Sequence, residues 1–433
     1  MKFYSTKNQF NKVSFQMALL NGMPQDKGLY MPERIPDFSK IFNQKNQLTF
    51  QEISLLIASE FIEKELSNNQ IQNIIENCIT FKAPNRNIYD DVYCLELFHG
   101  PTLAFKDFGA QFMARCMEYF IEGYDKEINI LVATSGDTGS AVAHSFYDVE
   151  GINVIILYPK GKVSEIQEKQ LTTLDKNIHA LEVDGTFDDC QKLVKKAFLD
   201  NKLNSKLKLS SANSINIARL IPQSFYYAYS YLQLEHKNIP TIYSVPCGNF
   251  GNITAGLIAQ KMGVPINRFI ASTNLNNIVP HYIDTGNYHP KKSIQTMSNA
   301  MDVGNPSNMV RIMDMYNNID NLRSQISSWS FDEAATSNII REIYKQNNYL
   351  LDPHSAVALL GLLKYEKSHS EIMNKIFLGT AHPGKFSDVV EPIIDTSIKL
   401  PKRLKEVLSL KKRSVILKNN YTEFYDYLIQ TFQ

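Results

Sequence analysis

The 433-residue chain has no dominant charge: 45 Lys and Arg stand against 44 Asp and Glu, for a formal net charge of +1. Without a one-signed field, nothing draws the whole molecule to nucleic acid or an anionic membrane, so anion recognition must be local. Cysteine is sparse and scattered. Cys78, Cys94, Cys116, Cys190 and Cys247 are odd in number and lack the close pairs of metal or redox motifs, so they read as free thiols in a reducing compartment, with no metal site expected. No apolar run is long enough to span a membrane; AVALLGLL, from Ala356 to Leu363, reads as a buried helix segment. The opening MKFYSTKNQF has neither an apolar core nor a small-residue cleavage pattern, so it is read as part of the fold rather than a secretory signal. Solenoid repeats, Pro-rich linkers and low-complexity tracts are missing as well. With 44% hydrophobic and 21% charged residues, the chain reads as a cytoplasmic globular protein, too long for a single domain to be the default.

Two textures divide what is there. EISLLIASEFIEKEL, within Leu48 to about Cys78, spaces its apolar residues by three and four, and residues 1–93 are assigned to a mostly helical N-terminal domain. After Tyr93, short β-branched runs alternate with helical patterns. INILVAT, NVIILYP, IHALEV, TIYSVP, RFIASTN and KIFLGTA read as buried strands, so residues 94–433 are expected to form an α/β core with parallel-rich sheets flanked by helices. From Phe108 to Ile121, Phe108, Phe112, Cys116 and Phe120 recur on one helical face, leaving Lys106 at the N-terminal edge of that helix.

Open α/β sheets bind ligands where strands hand over to helices. One such junction runs through Thr134, Ser135, Gly136, Asp137 and Thr138, and its amides and hydroxyls suit a carboxylate or phosphate. Another runs through Gly248, Asn249, Phe250, Gly251 and Asn252, whose amides converge on an anion; it lacks the P-loop lysine and the dinucleotide spacing. Each loop alone is equally well a tight turn, and Lys106 alone is a solvated lysine at a helix start. Together they suggest a lysine Schiff base with a phosphate-bearing aldehyde.

Beyond these features, YSTKNQFNKVSFQMALLNGMPQDKGLYMPE, ELFHGPTLAFKDFG, ATSGDTGSA, YPKGKVSEIQEKQ, NSINIARLIPQ, GNFGNITAG and TAHPGKF follow one another in the order and approximate spacing of the threonine synthases. The chain closely resembles that family over nearly its full length. The resemblance implies a fold type II core of two α/β lobes with pyridoxal 5'-phosphate between them, and a reaction of O-phospho-L-homoserine with water to give L-threonine and phosphate. Lys106 matches the lysine that carries the cofactor as an aldimine and removes the Cα proton. Gly248 to Asn252 matches the cradle for the cofactor phosphate, and Thr380 the hydroxyl facing the pyridine nitrogen. Thr134, Ser135, Asp137 and Thr138 resemble the loop around the substrate carboxylate; Lys162, Asn213, Ser214 and Arg219 resemble the clamp on the substrate phosphate.

Two departures from the family pattern stand out. Lys27 occupies the first glycine of an expected D-G-G-L-Y signature, outside the inferred site, and Asp137 stands where some fold type II relatives carry asparagine, its partner unidentified. His99, His354 and His382 are read as hydrogen-bonded structural residues, and Trp329 and the tyrosines of FYYAYSYLQ as packing residues. A monomer or homodimer without nucleic-acid or membrane partners is expected. Two other functions share most of these residues: a phospho-lyase releasing 2-oxobutyrate, and a non-catalytic phosphometabolite-binding protein.

Overall fold

The computed structural model describes residues 1–43 and 48–433. Strands β1 (Lys2–Ser5), β2 (Asn8–Ser14) and β3 (Tyr30–Pro32) form an antiparallel sheet in the order β2-β1-β3. The chain then passes through the helices Phe50–Ile62 and Asn68–Cys78, both opened by capping boxes, at Thr49 with Glu52 and at Ser67 with Gln70. Strands β4 (Asn85–Tyr89) and β5 (Val92–Glu96) begin a larger sheet. Four strands of a second, five-stranded sheet come next: β6 (Ile128–Ala133), β7 (Ile152–Pro159), β8 (Ile178–Asp184) and β9 (Lys208–Ser211). The chain returns to the larger sheet with β10 (Thr241–Pro246), β11 (Arg268–Thr273), β12 (Ile326–Ser330) and β13 (Asn374–Gly379), and back to the smaller one with β14 (Val415–Lys418).

The larger sheet has the order β12-β11-β10-β13-β5-β4 and is parallel except for its β4 edge; the smaller, β14-β8-β7-β6-β9, is parallel throughout. All six runs read as strands from sequence are strands here. β5, β9 and β12 escaped that reading because they are short and carry Glu96, Lys208 and several serines among their apolar residues, which blurs the pattern. AVALLGLL lies in the helix Pro353–Glu366, mostly buried on the back of the larger sheet over Ile242, Ile270 and Phe377.

The division drawn at residue 93 falls inside β5, and the N-terminal segment carries a sheet as well as helices. Nor does that segment keep a core to itself. Phe15 meets Phe120 at 6.1 Å between ring centroids, and Phe50 meets Phe108 at 5.7 Å, so its helices share apolar surface with the helix Lys106–Phe120. At the far end, the helix Tyr421–Phe432 buries Phe424 and Leu428 against the outer face of the smaller sheet. Among the described residues, no helix is long and apolar enough to cross a membrane.

The helix Gly251–Lys261, which follows β10, lies so close to its neighbours that a Cβ at Gly256 would stand 2.7 Å from the Phe269 ring and 2.9 Å from Tyr227. Both rings are fully buried and unable to yield. Gly256→Ala is expected to destabilise the protein by about 1–3 kcal/mol through overpacking, read as a lowered denaturant midpoint.

Candidate functional site

Parallel strands of the two sheets end on a common cleft of about 700 Å³. The segments following β5, β6, β9, β10 and β13 line it. This is the position that the handover from strand to helix dictates for ligand sites in open α/β sheets.

Beyond β10, Phe250 takes a left-handed conformation (φ 60°) as the residue that starts the helix Gly251–Lys261, and Asn252 Nδ2 donates to Pro246 O at 2.9 Å to fold the turn back on its strand. At Gly248 a Cβ would fall 2.6 Å from Ala300 O and 2.8 Å from Met301 Cα, so only glycine lets the loop and the 299–301 segment approach. Asn249 joins this loop to the next: its Nδ2 donates to Ser214 Oγ at 2.5 Å, while its Oδ1 accepts from Ser307 N at 2.6 Å.

Beyond β6, Thr134 Oγ1 accepts from the backbone N–H groups of Gly136 and Gly139 at 3.0 and 2.8 Å and so caps the helix Asp137–Phe146. Ser135 and Thr138 are left partly open to the cleft. Asp137 is buried and has the partner that sequence did not identify: Lys385 Nζ, itself wholly buried, lies 2.7 Å from its Oδ1, and Gln167 Nε2 donates to the same oxygen at 2.9 Å. Burial pushes the Asp137 carboxyl up, but Lys385 and Lys106 more than reverse this and hold it well below the usual carboxylate range.

Beyond β9, Asn213 Nδ2 donates to Ala133 O at 2.9 Å, tying this loop to the end of β6. Arg219 is buried; it donates to Ala212 O and, at 3.5 Å, to Lys106 O, and its Nε finds no partner among the described residues. Burial lowers its guanidinium to about 10. Arg311, missed in the sequence, is fully buried and gives the loop its shape by donating to Ser214 O at 3.1 Å, Ile215 O at 2.6 Å and Tyr30 O at 3.1 Å. Its place in an otherwise ordinary helix, Met309–Met315, gave no sign of that role.

Lys106 opens the helix Lys106–Phe120 on the cleft wall, its Nζ 5.7 Å from the Phe105 ring centroid. Burial lowers its ammonium to about 8, with Asp137 opposing and Lys385 and Arg219 reinforcing the shift. Thr380, at the end of β13, shares the cleft, and its carbonyl accepts from Phe105 N at 2.9 Å, which fixes Lys106 relative to β13.

The cleft thus gathers every residue singled out for the site except Lys162. That lysine is exposed beyond the tight turn at Gly161 (φ 65°) after β7, and it does not line the cleft. Lys27, by contrast, does line it, and holds a left-handed φ of 62°. The position does require the conformation that favours glycine. His354 also lines the cleft, fixed at both nitrogens: Nδ1 is 2.6 Å from Asp352 Oδ2, and Nε2 accepts from Ala300 N at 3.2 Å. Among the described residues, no group of three or more His, Cys, Asp or Glu is close enough to hold a metal ion.

Known proteins share this fold and much of this sequence. A family model described as a pyridoxal-phosphate dependent enzyme matches residues 77–374, one for the threonine synthase N terminus matches 2–79, and one for the threonine synthase C-terminal region matches 355–428. The threonine synthase of Escherichia coli (strain K12) is 44% identical over 409 residues, covering 94% of each chain. A crystal structure of the Escherichia coli threonine synthase superposes with a TM-score of 0.93 at 41% identity, covering 99% of this chain and 100% of that one. An X-ray structure of PLP-bound threonine synthase from Brucella melitensis gives a TM-score of 0.92 at 32% identity, with full coverage of both chains.

The residues present fit such a cofactor. A half-buried amine of lowered proton affinity shares the cleft with a turn whose glycine leaves no side chain in the way and whose helix start offers unpaired amides to a phosphate. Lys27→Gly relieves the left-handed strain and is expected to stabilise the protein by about 1 kcal/mol, seen as a raised thermal midpoint. Gly248→Ala is expected to lower affinity for pyridoxal phosphate at least tenfold by pushing the 299–301 segment away, measured by titrating the cofactor into stripped protein.

Proposed function

The chain belongs to the threonine synthase family of pyridoxal-phosphate-dependent enzymes, and from that premise we propose that it converts O-phospho-L-homoserine and water to L-threonine and phosphate. The observation that carries this reading is the low-affinity amine of Lys106 set among an amide cradle, a polar loop and a buried guanidinium on one cleft.

In this reading Lys106 would hold pyridoxal phosphate through its amine and, when that amine is free, would be the base for the Cα proton. An ammonium near 8 rather than about 10.4 leaves roughly a tenth of the amine unprotonated at pH 7, far more than an ordinary lysine. The cofactor supplies an electron sink for the charge left at Cα. The amides of Gly248 to Asn252 would hold the cofactor phosphate, and Thr380 would offer the pyridine nitrogen a neutral hydroxyl. Ser135 and Thr138 receive the substrate carboxylate. Asn213, Ser214 and Arg219 receive its phosphate, the guanidinium as a charged donor; Lys162, which lies exposed outside the cleft, is not placed in this clamp. An N-terminal unit buttresses a core of two α/β lobes, and the protein works in the cytoplasm as a monomer or homodimer, with neither nucleic acid nor membrane as partner.

Lys106→Ala is expected to abolish release of phosphate from O-phospho-L-homoserine while leaving the circular dichroism spectrum unchanged; wild-type turnover in that variant would refute the assignment. Arg219→Ala is expected to weaken substrate binding by about 2–5 kcal/mol, as when a buried charged partner is truncated, with a rise in KM larger than any fall in kcat. Unchanged KM would remove Arg219 from the clamp.

A further inference from the structure

One buried ion pair beside the cleft has no counterpart in the roles assigned above. Lys385 lies in the short turn Pro383–Phe386 after β13 with no exposed surface. Its Nζ meets Asp137 Oδ1 at 2.7 Å and donates to Thr102 O at 2.9 Å. Burying an ammonium and a carboxylate gains little stability, since the desolvation of both ions roughly offsets their attraction and an apolar pair of similar volume often does as well. The pair is therefore better explained by what stands around it.

The charged and titratable groups facing this point come from several elements. Asp137 belongs to the helix after β6, Lys385 to the turn after β13 and Arg219 to the helix Ile217–Leu220, and all three act on Lys106. Asp107, beside Lys106 on its own helix, is held by Thr102 through N and Oγ1 at 2.9 and 2.6 Å and feels both Lys385 and Asp137. His144 and His382 also feel Lys385, and burial keeps both rings neutral. Asp137 thus has two cationic neighbours, Lys385 and Lys106, and makes its contact with the first.

We propose that Lys385 is a positioning residue that works through Asp137: it engages the carboxylate in a fixed ion pair and so withholds it from Lys106, leaving the Lys106 amine unpaired and reactive on the cleft wall. Without Lys385, the carboxylate turns to its remaining cation, and the Lys106 ammonium is stabilised and tethered. The electrostatics agree in sign, since Lys385 favours loss of the Lys106 proton and Asp137 opposes it. The proposal rests on the reading of Lys106 as the reacting amine.

The test uses the full chain stripped of cofactor. Lys106 is acetylated with trace acetic anhydride across pH 6 to 11, and its modification is quantified by peptide mass spectrometry. In the native protein the reactivity is expected to follow an ionisation near 8. Lys385→Met is expected to move that ionisation upward by about one unit, lowering labelling at neutral pH about tenfold, and Lys385→Arg to restore it. Lys385→Ala, which leaves Asp137 no donor from residue 385, serves the same comparison if Lys385→Met fails to fold. In an Asp137→Asn background, where no carboxylate is left to withhold, the Lys385 substitution is expected to shift the ionisation far less. An unshifted profile in a folded Lys385 variant, or an equal shift in both backgrounds, overturns the proposal. The underlying reading fails separately: Lys106→Ala would then retain turnover, whatever the Lys385 variants do.

Discussion

A lysine amine is useful as a nucleophile only if it is kept from being an ordinary ammonium, and much of this structure follows from that requirement. Lys106 stands at a helix start where burial disfavours its charge, yet Asp137 lies near enough to favour it again. The balance holds because a second lysine, Lys385, is buried against Asp137 and anchored to Thr102. Five groups from four elements, Lys106, Asp107, Asp137, Arg219 and Lys385, thus set the electrostatics of one cleft wall.

Those charges stay in register only because the scaffold beneath them is continuous. The helix bearing Lys106 is wedged against the N-terminal helices through Phe50 and Phe108, while Phe105 N is bonded to Thr380 O at the end of β13. Asn249 and Arg311 bind the turn after β10 and the loop after β9 to each other and to Tyr30 in the N-terminal segment. The N-terminal segment is in this sense part of the site's foundation, since it shares a core with the helix that carries Lys106.

How much of this was legible in the sequence depends on what kind of interaction carried it. The buried β-branched runs announced six strands, and the glycine junctions announced the cleft, because both are local patterns. Lys106 and Arg219 were legible through family motifs. Lys385 was in plain view within TAHPGKF but unmarked, and Arg311 carried no mark at all, since a buried cation is defined by partners far away in the chain: Asp137 for one, Tyr30 and Ser214 for the other. Lys162 shows the converse. A motif carried it into the clamp, but the turn at Gly161 leaves it exposed outside the cleft. Lys27 lies far from Lys106 in sequence, and only the fold of the N-terminal segment brings it to the same cleft.

The fate of the phosphorylated substrate decides the function most directly. Purified protein loaded with pyridoxal phosphate and given O-phospho-L-homoserine should release phosphate and L-threonine in equal amounts, with both quantified in the same reaction alongside 2-oxobutyrate. Phosphate accompanied by 2-oxobutyrate in place of threonine, or no phosphate release from a protein that has bound its cofactor, would contradict it.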